Sequence, residues 1–114
     1  MRKFRHVETA IDDDPWELDI SFTVPAGENF DLIQVYIEFE SVPVTAAVWR
    51  VQLERDVNGI ATVETLLEQE PSTELGFSYS ANDRFFCRSG DIVRALYANP
   101  DELDLYCSLD FEQR

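Results

Sequence analysis

The sequence predicts an all-β fold, an antiparallel sandwich of about eight strands, and three observations predict it. Apolar and polar residues alternate with period two in several segments, most cleanly near the end, where Leu103, Leu105, Cys107, Leu109 and Phe111 interleave with Asp104, Tyr106, Ser108 and Asp110. Turn chemistry such as Asp12-Asp13-Asp14-Pro15, Asn58-Gly59 and Asn99-Pro100-Asp101 separates these segments at the short spacing of sandwiches and barrels. No repeat, low-complexity tract or Pro/Gly-rich linker divides the chain, and its 114 residues are enough for one domain with a modest core.

Residues 1–6 are read as a basic N-terminal arm and residues 7–114 as a single β-sandwich domain, with Phe4, Val7 and Ile11 anchoring a first irregular strand. Three adjacent carboxylates and Pro15 then force a turn. Trp16, Leu18, Ile20, Phe22 and Val24 mark a second strand, and residues 25–29 form a loop around Pro25 and Gly27. The apolar set of residues 30–39 changes parity between Leu32 and Ile33, which predicts a β-bulge. Residues 47–54 alternate again, and Asn58-Gly59 is a strong hairpin signal because both residues tolerate positive φ.

The return strand over residues 60–68 is expected to turn Ala61, Val63, Thr65 and Leu67 inward, in preference to a helical turn over residues 62–70. Leu75, Phe77 and Tyr79 mark a sixth strand, which Ala81-Asn82-Asp83 is expected to end in a turn before a short bridge at residues 85–87. Residues 91–98 and 103–112 are then expected to pair as a closing antiparallel hairpin. Eight short strands around an aromatic-rich core suggest a jelly-roll-like sandwich.

Charge is the strongest compositional signal. Nine cations against 23 acids give a formal charge of −14, while Arg2, Lys3 and Arg5 fall in the first six residues, which hold no acid. An acidic body repels phosphate backbones, so nucleic acid is not an expected partner and a basic protein surface is a better one. No hydrophobic region follows the basic start, so no signal peptide is read, and no run approaches the ~18 apolar residues of a membrane span.

No chemistry-bearing constellation stands out, and the chain is read as a non-enzyme without cofactor or metal. His6, Cys87 and Cys107 lack zinc spacing, and the Asp12 to Asp14 run lacks the glycine-bearing spacing of a calcium loop. Neither a Gly-x-Ser-x-Gly elbow nor a P-loop occurs. Cys107, on an apolar strand face, and Cys87 read as small core hydrophobes rather than a disulfide. Trp16 and Trp49 fall in phase with core residues, leaving Tyr36, Tyr97 and Tyr106 as candidate surface contacts. The carboxylates are spread over many loops and outer strand faces, so an ordinary solvated surface is preferred to a surface imitating DNA.

Ser89-Gly90-Asp91-Ile92-Val93-Arg94, Leu96-Tyr97-Ala98-Asn99-Pro100-Asp101 and residues 105–111, with Trp49-Arg50-Val51-Gln52-Leu53 before Asn58-Gly59 and Leu66-Leu67 after it, carry a resemblance. Over residues 30–112 the chain resembles small β-sandwich structural proteins of tailed bacteriophages. The resemblance implies a virion component, made in the host cytoplasm: a capsid decoration (cement) protein on the major capsid protein lattice, or a tail- or fibre-associated module binding host-surface glycan. An acidic inhibitor that imitates DNA is a further alternative. The resemblance implies virion subunits or further copies of the chain as partners, with a homo-oligomer expected and trimers common where jelly rolls decorate capsids. Arg2, Lys3 and Arg5 are the residues expected to contact an acidic groove on a neighbouring subunit.

Overall fold

A computed structural model describes residues 2–71 and 75–114, with the backbone alone described for residues 2–8 and 79–84. Eight strands run in chain order: β1 (Arg2–Ile11), β2 (Leu18–Thr23), β3 (Phe30–Phe39), β4 (Trp49–Val57), β5 (Ile60–Gln69), β6 (Gly76–Cys87), β7 (Ile92–Tyr97) and β8 (Leu105–Gln113). They form two four-stranded antiparallel sheets, one ordered β1-β8-β3-β6 and the other β2-β7-β4-β5.

The pairings nest. β4 pairs with β5, β3 with β6, β2 with β7 and β1 with β8, so the chain is one long hairpin whose turn is Asn58-Gly59. Rolling that ribbon brings β3 against β8 and β4 against β7, which closes each sheet and produces the jelly-roll order. Asn58 and Gly59 have φ of 54° and 81°, the positive pair that a type I′ turn needs to match strand twist.

Burial alternates strictly in β2, whereas in β8 Leu105, Cys107, Leu109 and Phe111 are buried as expected but Ser108 and Glu112 of the opposite face are buried too. Leu18, Ile20 and Phe22 of β2 are buried between exposed Asp19, Ser21 and Thr23. Phe22 from one sheet meets Phe30 and Phe111 from the other, at ring-centroid distances of 5.4 and 4.8 Å, forming the aromatic centre of the sandwich. Trp49 is fully buried, whereas Trp16 precedes β2 and is only half-buried.

Five expectations are corrected. The basic arm is backbone of β1 from Arg2 onward, because pairing with β8 satisfies the amides that face it and sets Arg5 opposite Asp110 and Lys3 opposite Glu112. The closing hairpin is instead an arch: β7 and β8 lie in different sheets, since each has an apolar face that must reach the core from its own side. The turn at residues 81–83 lies within β6. Between its pairings Ser80↔Gln34 and Phe85↔Leu32, β6 has more residues than β3, and the surplus is absorbed as an irregularity in a continuous strand.

The inward set of β5 is also different. Val51 pairs with Leu67 but Gln52 pairs with Thr65, so Leu66 is a bulge, and the strand changes face there. Ala61, Val63 and Thr65 consequently stand opposite the outward residues Asp56, Glu54 and Gln52 and are exposed, and only Leu66, Leu67 and Gln69 of the strand are even half-buried. Finally, Tyr97 is a core residue, 2% exposed, packed against Phe39 with 5.3 Å between ring centroids. The bulge expected near Ile33 is present as a register shift between Leu32 and Gln34.

Candidate interaction surfaces

Antiparallel strand order sends alternate connections to opposite ends of the sandwich, and the two ends differ in charge. Ile11, Phe39 and Leu105 meet at one end of the first sheet, while Leu18, Trp49, Gln69 and Tyr97 mark the corresponding end of the second. The connections there are residues 12–17, 40–48, 98–104 and the segment after Gln69. Every one carries acids and none carries lysine or arginine.

Hydrogen bonds fix this acidic end. Asp101 accepts from the amides of Val44 (2.7 Å) and Thr45 (2.9 Å) and from the Thr45 hydroxyl, and these donors hold its carboxyl below the ordinary range. Asn99, buried with φ of 53°, donates through Nδ2 to the carbonyls of Trp16 (2.9 Å) and Leu103 (3.0 Å) and accepts from the Leu103 amide. Asp104 has the opposite electrostatics. Desolvation, followed by the charges of Glu40 and Asp12, raises its carboxyl above the ordinary range. These three acids line a groove of about 450 Å³ with Glu38 and Tyr106.

Cations lie mainly toward the other end, and Arg50, Arg55, Arg94 and Arg114 are engaged in ion pairs. The Arg55 guanidinium donates to Asp91 at 2.7 Å, and Asp91, whose side chain is 4% exposed, also accepts from the Arg88 amide at 2.8 Å. Arg114 bonds the buried Asp31 at 2.8 Å and lies 4.7 Å from the Phe86 ring centroid. On the outer face of the second sheet, Arg94 joins Glu54 at 2.8 Å and Arg50 joins Glu68 at 3.1 Å. The side chains of Arg2, Lys3 and Arg5 lie outside the described residues; their backbone positions put Lys3 and Arg5 opposite carboxylates of their own chain.

The three tyrosines do not form one patch. Tyr36 and Tyr106 share the outer face of the first sheet, half-buried, with 6.4 Å between ring centroids, whereas Tyr97 is in the core. Gly76 accommodates Tyr36, since a Cβ at that position would stand 2.9 Å from the phenol oxygen.

The surface missed by sequence reasoning is apolar. Ile60 and Val63 on β5 are 67% and 59% exposed, with Val57 beside Ile60 across the turn. Adjacent Leu66-Leu67 was the available signal, because two consecutive apolar residues in an alternating strand imply a change of face.

Among the described residues, no three His, Cys, Asp or Glu side chains converge to hold a metal ion, including the Asp12 to Asp14 turn. Burial pushes the thiols of Cys87 and Cys107 up to about 12, which leaves them protonated and inert at neutral pH. The two thiols do not pair: Cys87 stands opposite Phe30 and Cys107 opposite Ile37, about 23 Å apart at the usual strand rise, far beyond disulfide reach. No protein-family model matches the chain, and comparison with curated proteins finds no matching relative.

Proposed function

We propose that the chain is a non-enzymatic structural protein of a virion, a capsid decoration (cement) protein that binds the major capsid protein lattice. The observation that carries this reading is how the polar groups are used. The Ser89-Gly90-Asp91 and Asn99-Pro100-Asp101 motifs, on which the phage resemblance rests, are spent in locking loops through Asp91, Asn99 and Asp101. What is left for partners is surface: an acidic end and an uncovered apolar strand. A rigid sandwich presenting such surfaces suits a protein that works by occupying a lattice site. Co-sedimentation with purified particles of a phage that encodes it is the test. Saturable occupancy at symmetry-defined capsid positions is expected, and absence from intact particles sinks the reading.

Convergence of four acidic connections at one end favours a second reading, an acidic inhibitor that occupies a nucleic-acid-binding protein. Salt-sensitive binding to such a protein, competed by DNA and without capsid binding, would select it.

A further inference from the structure

β5 is an edge strand: among the described residues it is hydrogen-bonded to β4 alone. Edge strands leave a row of amides and carbonyls unpaired, and proteins blunt them with charge, proline, shortness or a bulge. β1 carries Arg2, Lys3 and Arg5, β2 has only six residues, and β6 carries Asp83 and Arg84 where it is irregular. The second half of β5 is protected by the bulge at Leu66. Residues 60–63, Ile-Ala-Thr-Val, have no such guard and leave Ile60 and Val63 exposed.

The turn determines which backbone groups are free. In a two-residue hairpin the closing pair exchanges both hydrogen bonds, so Val57–Ile60 is a bonded pair, and alternation makes Arg55–Thr62 and Leu53–Glu64 bonded pairs too. The amides and carbonyls of Ala61, Val63 and Thr65 therefore point away from β4.

We propose that the chain forms a two-fold dimer in which β5 pairs antiparallel with β5 of a second copy, centred on Val63. Because only alternate residues have free groups, the two-fold axis falls at Thr62, Val63 or Glu64. Centring on Glu64 sets that carboxylate against its own counterpart, and centring on Thr62 shortens the overlap. Centring on Val63 places Val63 opposite itself, Ala61 opposite Thr65 and Glu64 opposite Thr62, so no like charges face each other. The two four-stranded sheets become one of eight strands across the dimer. Each copy carries −14, so long-range repulsion opposes association until salt screens it.

This inference goes beyond the virion reading and stands without it, since its test uses the chain alone. Sedimentation equilibrium of the full chain is expected to move from 13.2 kDa toward twice that mass with concentration, with the association constant rising roughly tenfold from low to high salt. Val63→Lys, which puts two ammonium groups face to face at the axis, is expected to stay monomeric with an unchanged circular dichroism spectrum. Val63→Cys is expected to form a disulfide-linked dimer on mild oxidation, because directly opposed Cα atoms in a bonded pair lie about 5.5 Å apart. Glu64→Cys, offset from its counterpart, is not. A monomer at every concentration and salt, a Val63→Lys dimer, or equal cross-linking of the two cysteine variants overturns the proposal.

Discussion

Arg55 and Asp91 tie two distant parts of the chain together. Nε and Nη2 of Arg55 lie 3.0 and 2.7 Å from Oδ2 of Asp91, joining the far end of β4 to the turn between β6 and β7. Arg55 also donates to the Phe86 carbonyl at 3.2 Å, so one guanidinium holds β4, β6 and the turn in place. The pair is mostly withdrawn from solvent, with side chains 24% and 4% exposed.

Replacing one partner should therefore be costly. Asp91→Ala leaves Arg55 uncompensated and the Arg88 amide without its acceptor, and a loss of about 3 kcal/mol is expected. Urea unfolding of Asp91→Ala, Arg55→Met and the double variant checks this. The double variant should be less destabilised than the sum of the singles, and strict additivity would show that the pair is not coupled.

Asp101 should make the fold acid-sensitive. Its folded pKa lies below the ordinary 3.8, so its contribution is present above that value and is lost as pH falls through the lower, folded one. Asp101→Asn is expected to lower Tm at neutral pH, with the gap to the parent chain narrowing as pH falls below 3.8 and through the lower, folded value. A gap that is independent of pH would point to a cause other than ionisation.

Asp104 should behave in the opposite sense. Its folded pKa is raised, so its relative stabilisation holds below 3.8 and disappears as pH rises through the higher, folded value. Asp104→Asn removes a carboxylate that Glu40 and Asp12 repel, and it is expected to raise Tm at pH 7 and leave it unchanged at pH 3. A lower Tm at pH 7 would refute the assignment.

Neither thiol should react in the folded protein. With both pushed up to about 12 by burial, Cys87 and Cys107 are expected to resist a thiol reagent at pH 8 and to react fully in denaturant. Labelling of either residue at a rate matching a free thiol would contradict the packing of β6 or β8.

Strand identity was legible wherever alternation was undiluted. β2 shows it with one face buried and the other exposed, β8 keeps its apolar set on the core although Ser108 and Glu112 of its other face are buried as well, and Asn58-Gly59 identified the one hairpin of consecutive strands among the described residues. Phase was ambiguous where both parities are apolar. Over residues 92–97 either set can be inward, so Tyr97 read as a surface residue until its pairing with Leu18 placed it in the core. At β5 the Leu66 bulge reversed the phase of Ala61, Val63 and Thr65. The candidate surfaces were less legible still, because gathering the acids of four connections at one end depends on strand order.

Local sequence by itself determined which segments are extended, which residues turn the chain and that the surface is strongly acidic, because these follow from side-chain period, backbone preference and composition. Tertiary structure alone decided which strands are neighbours, that the basic start is a strand set against Asp110 and Glu112, and that Ile60 and Val63 remain uncovered. The physical reason is that pairing joins residues far apart in the chain, and a single bulge, invisible to a local pattern, chooses the face that every following side chain occupies.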